Sequence, residues 1–230
     1  MIKAVLWDFG GVITSSPFEA FNRYELSNDI PRDFIRSVNA TNPDSNAWAK
    51  FESSLVSLEE FDGLFAAETE AAGYRIAGLD VLNLLSGDVR PEMVVALGLI
   101  KESYRIACLT NNVKGAGEGP GMAGDPVKAA QIIEIMSLFD FVIESSKVGF
   151  RKPNPRFYEL ACEQLAIDPT EAVFLDDLGI NLKPAKAMGM ATIKVTSAPQ
   201  ALTELSQLLS IEALDLLVDN TNTPSPREAM

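Results

Sequence analysis

Histidine is absent from the 230-residue chain. This absence excludes Ser-His and Cys-His catalytic pairs and any metal site that needs an imidazole ligand. Cysteine is scarce, since only Cys108, in an apolar run, and Cys162, in a predicted amphipathic helix, are present. Two cysteines in a chain of this size do not form a disulfide framework, so we expect buried free thiols and a reducing, cytoplasmic compartment.

Positive charge and long apolar runs are also in short supply. Nineteen Lys and Arg residues face 32 Asp and Glu residues, which gives a formal net charge of −13. Such a surface repels nucleic acid and anionic membranes, so we predict neither partner. No apolar run approaches the ~20 residues of a membrane-spanning helix, and no signal-peptide apolar region precedes the first predicted strand. An anionic small-molecule substrate would need a local site of positive potential, with a metal ion as one source.

What the chain does contain is a repeated alternation of helical and strand patterns, with 47% hydrophobic residues available for a core. This alternation predicts an α/β fold with a parallel sheet covered on both faces. The predicted strands are 2–7, 104–109, 141–144, 172–175 and 191–195. The predicted helices are 91–101, 127–137, 156–165 and 180–188, with a turn at 168–171.

The stretch 15–88 interrupts this alternation. Its apolar residues are spaced by three and four, and Ser57 with Glu60 forms a capping box that predicts a helix start. We expect a helical insertion of several short helices at 15–88, with the core formed by 1–14 and 89–218. Three aromatic residues lie at helical spacing in this stretch, Phe18, Phe21 and Trp48. This spacing favours packing in an apolar interior of the insertion over lining a pocket for a lipid-like phosphate.

Two further segments are predicted to be irregular. Five glycines at 115–124 favour a surface loop, because the lysine signature of a nucleotide phosphate loop does not follow them. Residues 219–230, with two prolines, are predicted to form a flexible tail.

Polar side chains follow three of the predicted strands. Asp8 follows the first strand, Thr110 and Asn111 follow the second, and Asp176 and Asp177 follow the fourth. Ligands of parallel sheets bind beyond the carboxyl ends of the strands, so we expect one site to be built from these residues.

The acidic residues of this set have the chemistry of a metal and phosphoryl site. The carboxylates of Asp8 and Asp177 are hard oxygen ligands that suit Mg²⁺, and the backbone carbonyl of Gly10 can supply another oxygen. Asp8 can also attack phosphorus to form an aspartyl phosphate. The sequence therefore predicts a small phosphorylated substrate.

Uncharged donors and a cation complete the predicted site. The Thr110 hydroxyl and the amide groups of Asn111 suit phosphate oxygens. Lys152 lies in a loop stiffened by two prolines, where it can balance Asp8 and a transferring phosphoryl group. We expect its neighbour Arg151 to be solvated at the surface.

Four segments in this order resemble the signatures of the haloacid dehalogenase superfamily. They are Asp8-Phe-Gly-Gly-Val, Leu109-Thr-Asn-Asn, Lys152-Pro and Phe174-Leu-Asp-Asp-Leu-Gly-Ile-Asn. The segments 139–155 and 173–190 resemble the N-terminal phosphatase domain of soluble epoxide hydrolases, and this resemblance does not imply epoxide hydrolysis.

This resemblance implies a Rossmann-like three-layer core with a helical cap at 15–88 that closes over the site. It implies that Asp8 is the nucleophile and that Mg²⁺ binds Asp8, Asp177 and the Gly10 carbonyl. Asp176 and Asn181 would support the site. Phosphate would be held by Thr110, Asn111 and Lys152, the last also with a catalytic role.

Gly10 departs from the family pattern. Phosphatases of the superfamily usually have an aspartate at this position, which transfers protons to and from the reacting groups. Such acid–base catalysis is typically worth ~10²–10⁴-fold. Substrates with good leaving groups need it least, and Glu19 or Glu25 of the insertion is a candidate substitute.

Three hypotheses follow. The first is a Mg²⁺-dependent phosphatase of small phosphomonoesters. The second is a metal-free 2-haloacid dehalogenase, an enzyme class that also lacks the second aspartate, although the pair Asp176 and Asp177 argues against it. The third is a phosphate-sensing protein that has lost catalysis. The sequence predicts no oligomeric state.

Overall fold

A five-stranded parallel sheet lies at the centre of the fold. The structure, a computed structural model, describes residues 1–85, 87–112 and 126–221. The strand order is β3-β2-β1-β4-β5, and Leu6 at the centre lies opposite Ala107 on one side and Phe174 on the other. The predicted parallel sheet is confirmed. The strands are β1 Ala4–Trp7, β2 Arg105–Thr110, β3 Phe141–Glu144, β4 Ala172–Asp176 and β5 Ala191–Lys194.

The central strand β1 is buried throughout, because both of its faces are covered. Val5 and Trp7 join one apolar cluster and Ala4 and Leu6 join another on the opposite face. An uninterrupted apolar strand is what a doubly covered parallel sheet requires.

Helices cover the two faces in separate sets. Helices α6, α7, α11 and α12 pack on the Trp7 face, whereas α9 and α10 pack on the Leu6 face. Pro91 and Pro155 begin two of them, at the position where a missing backbone N–H costs nothing. The helices are α6 Pro91–Lys101, α7 Pro126–Met136, α8 Ser145–Val148, α9 Pro155–Leu165, α10 Gly179–Ala187, α11 Ala198–Leu209 and α12 Ala213–Thr221.

Sequence reasoning missed the last two helices. A capping box of Ser197 and Gln200 starts α11 and was the available signal. Helix α12 runs to Thr221, so the first three residues of the predicted tail belong to it. The remainder of that tail and the predicted glycine-rich loop at 115–124 lie outside the described residues.

The stretch between β1 and α6 is helical, as expected. The predicted capping box of Ser57 and Glu60 is confirmed. The aromatic side chains pack on one another, with the Phe51 and Phe61 rings stacked at 4.4 Å. Phe21 is buried in this cluster, and Phe18 and Trp48 pack against it, which favours the predicted interior role. The helices are α1 Pro17–Ser27, α2 Phe34–Ala40, α3 Ala47–Glu52, α4 Leu58–Ala71 and α5 Gly78–Asn83.

The two chain segments that join the helical insertion to the core run side by side. The Ser15 N–H donates to the Asp88 carbonyl at 2.8 Å, and the Arg90 N–H donates to the Ile13 carbonyl at 2.9 Å. A Cβ at Gly87 would lie 2.5 Å from the Ser15 carbonyl oxygen, so this close approach requires glycine.

Two expectations drawn from scarce residue types can be compared with the structure. Cys108 and Cys162 are both buried free thiols, as predicted. Within the described ranges, no helix has the length and apolarity needed to cross a bilayer.

Candidate active site at the carboxyl edge of the sheet

Three carboxylates meet where β1 and β4 end. One oxygen from each of Asp8, Asp176 and Asp177 lies within 4.8 Å of the others. The neighbouring strands place them there, since the Asp8 N–H extends the β1–β4 pairing by donating to the Leu175 carbonyl at 2.9 Å. The structure therefore brings together the acidic residues that the sequence pattern had placed at one edge.

Lys152 bridges two of these carboxylates. Its ammonium nitrogen lies 2.8 Å from Asp8 Oδ1 and 2.7 Å from Asp176 Oδ2, and its side chain is 1% exposed. Burial disfavours the charged ammonium, but the carboxylates of Asp176 and Asp8 outweigh it and raise the pKa of Lys152 above its usual value. The lysine is therefore a fixed positive charge within the site.

Asp176 is held by several donors besides the lysine. The Leu178 N–H donates to Oδ1 at 2.8 Å, and the Asn181 amide lies 3.1 Å from Oδ1 and 3.0 Å from Oδ2. Asn181 is in turn fixed by Tyr158, whose hydroxyl donates to the Asn181 carbonyl at 2.6 Å. These bonds suit Asp176 and Asn181 to the supporting role that the resemblance implies.

The pKa values of Asp8 and Asp177 are raised by burial and by neighbouring carboxylates. Burial raises the pKa of Asp8 well above its usual value, Asp176 and Asp177 add to the rise, and Lys152 opposes it. Burial and Asp176 raise the pKa of Asp177 to about 6. A divalent cation would relieve this repulsion, and three clustered carboxylates are a donor set that fits Mg²⁺.

Ser16 belongs to this site and was missed by sequence reasoning. Its hydroxyl donates to Asp177 Oδ2 at 3.2 Å. It is the residue that precedes α1, so the start of the helical insertion contacts a candidate metal ligand. Serine before a helix is typical of an N-cap, but the Ser16 side chain makes no cap hydrogen bond and contacts Asp177 instead.

The two glycines after Asp8 differ in what surrounds them. A Cβ added at Gly10 would have no heavy atom within 4 Å outside the two adjacent residues. A Cβ at Gly11 would lie 2.3 Å from Asp177 Oδ2, and its φ of +78° also favours glycine. A side chain at position 11 would therefore have to displace the Asp177 carboxylate and keep a left-handed backbone, whereas position 10 leaves room for a side chain.

The residues that end β2 lie at the same edge. Thr110 is buried as the last residue of β2. The Asn111 carboxamide holds the lysine loop, since its Oδ1 accepts from the Lys152 N–H at 2.9 Å and its Nδ2 donates to the Lys152 carbonyl at 3.1 Å. A phosphate contact from Asn111 would therefore come from its backbone N–H instead of its side chain.

Arg151 is largely buried and ion-paired, so the prediction of a solvated surface arginine is wrong. Its side chain is 18% exposed, and Nη1 lies 2.6 Å from Glu52 Oε2 on α3. Folding brings these two residues together across 99 positions, a pairing that no local pattern reveals.

The two carboxylates suggested as substitutes for an acid at Gly10 receive no support from the structure. Glu25 is fully buried, but its oxygens accept from the Asp33 and Ile35 N–H groups, both at 2.8 Å. It therefore caps the start of α2. Glu19 is exposed in the first turn of α1, and within the described residues no hydrogen bond or ion pair joins its carboxylate to the site.

Known proteins share this sequence pattern. The model of the haloacid dehalogenase-like hydrolase family matches residues 2–189. The chain belongs to this family. Among curated relatives, this haloacid dehalogenase-like hydrolase is 33% identical over 225 residues to acyl-CoA dehydrogenase family member 10 of Mus musculus, covering 95% of the chain and 20% of the relative. It is 29% identical over 219 residues to bifunctional epoxide hydrolase 2 of Mus musculus, covering 90% of the chain and 39% of the relative. The chain thus spans less than half the length of these two proteins.

One relative matches almost end to end. The sesquiterpene phosphatase astK of Aspergillus oryzae is 25% identical over 212 residues, which cover 90% of this hydrolase and 96% of the relative. Solved structures share the fold, and a haloacid dehalogenase-family enzyme of Bacteroides thetaiotaomicron in complex with magnesium and inorganic phosphate is one of them. It is 20% identical, with a TM-score of 0.55 over 84% of this chain and 93% of that one. The predicted α/β fold class is thereby confirmed.

Proposed function

We propose that this hydrolase is a Mg²⁺-dependent phosphatase of small phosphomonoesters that works through an aspartyl-phosphate intermediate. The observation that carries the proposal is the contact of Lys152 with Asp8 beside Asp177. A nucleophilic carboxylate, a fixed cation and a further acidic ligand are the parts that phosphoryl transfer needs.

The reaction would proceed in two displacements at phosphorus. In the first, a carboxylate oxygen of Asp8 forms a bond to phosphorus while the bond to the leaving oxygen breaks, and the leaving group takes a proton from water. In the second, water attacks the phosphorus of the aspartyl phosphate, which releases inorganic phosphate and restores Asp8. Lys152, the Thr110 hydroxyl and the Asn111 N–H would hold the phosphoryl oxygens throughout.

Asp8, Asp177 and the Gly10 carbonyl would hold the metal ion, with Asp176 and Asn181 supporting them. When bound, Mg²⁺ supplies neutralisation of charge on the phosphoryl oxygens. Asp176 is the less suitable direct ligand, because both of its oxygens already accept hydrogen bonds from Lys152, Leu178 and Asn181.

The absence of a carboxyl group at Gly10 narrows the substrate class. Without a positioned acid, the enzyme is expected to favour phosphates whose leaving groups depart with little protonation, such as sugar 1-phosphates, aryl phosphates and acyl phosphates. We further propose that the helices of 15–88 act as a cap over the site and contact the leaving group, while 1–14 and 89–218 form the catalytic core.

Two comparisons are consistent with the phosphatase proposal. The relative astK is named as a phosphatase, and the Bacteroides enzyme was solved with magnesium and inorganic phosphate. The carboxylate cluster gives the same preference, since a metal-free dehalogenase would have no need of three crowded carboxylates.

A substrate panel tests the proposal. The purified protein is incubated with aryl, acyl and sugar phosphates in Mg²⁺ and in EDTA, and released phosphate is measured. We expect turnover in Mg²⁺ that EDTA abolishes. Phosphate release that is unaffected by EDTA would refute the metal dependence. Chloride release from chloroacids in EDTA would establish a dehalogenase instead, and binding of phosphate esters without turnover would establish a phosphate-sensing protein.

A further inference from the structure

We propose that Glu52 and Arg151 form a latch between the helical insertion and the core, and that this latch positions Lys152. Neither residue touches the reacting atoms; both would act through the lysine that follows Arg151. The kinetic part of this inference rests on the proposed phosphatase function, whereas the structural part does not.

The two neighbouring residues of the lysine loop are held from opposite sides. The Lys152 backbone is fixed to the core, because its N–H and its carbonyl both bond the Asn111 carboxamide. The Arg151 side chain reaches the insertion instead, where Nη1 donates to Glu52 Oε2 at 2.6 Å and Nη2 donates to the Pro43 carbonyl. Lys152 therefore directly follows a residue whose side chain is held by the helical insertion.

Glu52 is a fixed partner for this contact. It ends α3, whose N-cap is Asn46, with the Ala49 N–H donating to Asn46 Oδ1 at 2.8 Å. The ring of Phe51 in the same helix stacks on Phe61 of α4. A carboxylate on so well-anchored a helix can hold a guanidinium in one place, which a mobile surface carboxylate cannot do.

Burial makes the ion pair between Glu52 and Arg151 costly to separate. The side chains of Glu52 and Arg151 are 10% and 18% exposed. Burial raises the pKa of Glu52, and Arg151 opposes the rise. Because an unpaired buried charge is strongly unfavourable, each residue stabilises the other's ionised form and disfavours separation of α3 from the lysine loop.

A second contact ties the same two regions together. The Ser54 hydroxyl, just beyond α3, donates to the Ser146 carbonyl in α8 at 3.1 Å. The chain then passes from α8 through Arg151 to Lys152. The end of α3 thus holds the segment 146–151 at both of its ends, and any movement that parts α3 from the core would release this segment.

Hydrogen exchange and kinetics together test the latch. Glu52→Gln keeps the volume of the side chain and removes its charge, and Arg151→Lys keeps the charge and removes the two-pronged contact. Glu59→Gln, at an exposed position on α4, is the matched control for loss of one negative charge from the insertion. The measurements are NMR amide exchange at Lys152 without ligand, and kcat and KM for p-nitrophenyl phosphate with Mg²⁺.

We expect exchange at Lys152 to rise about tenfold in Glu52→Gln, and kcat to fall about tenfold with KM changed less than threefold. Arg151→Lys should give the same pattern, and Glu59→Gln should match the wild type. Unchanged exchange at Lys152 in both latch variants would overturn the inference, and so would an equal rise at the amides of β1 and α9, which indicates general destabilisation. Faster exchange at Lys152 in a protein without phosphatase activity would support the latch and refute only the proposed function.

Discussion

Lys152 donates a 2.7 Å hydrogen bond to Asp176 although neither side chain is more than 1% exposed. The same ammonium group also pairs with Asp8. Lys152→Met would leave two buried carboxylates without their cation, and removing one partner of a buried pair typically costs about 3–5 kcal/mol. We expect a loss of this size in the free energy of unfolding, measured by urea denaturation in EDTA.

Lys3→Met is the control for that experiment. Lys3 pairs with Glu171, but its side chain is 60% exposed. Exposed pairs contribute about 0–1 kcal/mol, so this variant should stay within 1 kcal/mol of the wild type. A Lys152→Met variant that is equally mild would mean that one of the buried carboxyl groups is protonated and needs no cation.

Asp8→Asn tests the proposed nucleophile. Asparagine keeps the shape of the side chain but lacks the carboxylate oxygen that would bond to phosphorus. We expect kcat to fall at least about 10³-fold, as measured by phosphate release from a variant whose fold is checked by circular dichroism. Asp44→Asn, at an exposed position of the insertion, should keep wild-type activity. Substantial turnover by the Asp8 variant would remove it from the role of nucleophile.

The strand-end residues of the site were predictable from the sequence, because their position depends on local order alone. Asp8, Thr110 and Asp176 each end or follow a buried strand, and parallel strands place their carboxyl ends at one edge. The restricted conformation of the lysine loop was also predictable from local sequence, because two prolines limit its backbone. The orientation of the side chains at that edge was not predictable. The Asn111 carboxamide, for example, accepts a hydrogen bond from the Lys152 N–H.

The contacts of the insertion were not predictable in the same way. Arg151 and Glu52 meet only because α3 packs against the lysine loop, and exposure of a charged residue is decided by such tertiary contacts. The contacts of Glu25 were equally hidden, because its spacing on an amphipathic helix does not reveal the Asp33 and Ile35 N–H groups at the start of α2 that donate to it. Helices α11 and α12 lie beyond the last motif, in a part of the sequence that contains no predicted site residue.

Asp177 gives the metal-free protein a distinctive pH dependence. Burial and Asp176 raise its pKa from 3.8 to about 6, so the folded state holds this proton more tightly than the unfolded state. The stabilisation that the protonated group provides is complete below about pH 3.8 and is lost as the pH rises through about 6. Asp177→Asn has no ionisable group at this position, so its melting temperature should exceed that of the wild type in EDTA at pH 7. The gain in the free energy of unfolding should be no more than about 3 kcal/mol.

The advantage of Asp177→Asn should shrink to less than about 1 kcal/mol near pH 4, where the wild-type carboxyl is protonated in the folded state and titrates in the unfolded state. Thermal unfolding in EDTA at pH 4, 5, 6 and 7 measures the difference. Glu102→Gln, at an exposed position beyond α6, is the control with no expected trend. A difference between the Asp177 variant and the wild type that stays constant from pH 4 to pH 7 would contradict the raised pKa.

Gly11 and Gly10 form a matched pair for testing the metal site. Alanine at position 11 places its Cβ 2.3 Å from Asp177 Oδ2 and must keep a left-handed backbone, so it should displace that carboxylate. We expect Gly11→Ala to weaken Mg²⁺ binding at least tenfold in isothermal titration calorimetry. Gly10→Ala meets no heavy atom within 4 Å of its Cβ and should bind Mg²⁺ as the wild type does. Equal affinities for both variants would argue against Asp177 as a metal ligand.

Gly10→Asp tests whether proton transfer limits the natural enzyme. The open space around Gly10 accepts a side chain, and an aspartate there could protonate the departing oxygen. The gain should therefore depend on the leaving group: about 10²-fold in kcat/KM for alkyl phosphates, and little for aryl phosphates with acidic phenols. A series of aryl and alkyl phosphates measures this dependence, and Gly10→Asn is the control that adds the same volume without a proton to transfer. If aspartate and asparagine have the same effect across the series, the missing carboxyl group does not explain the preference for good leaving groups.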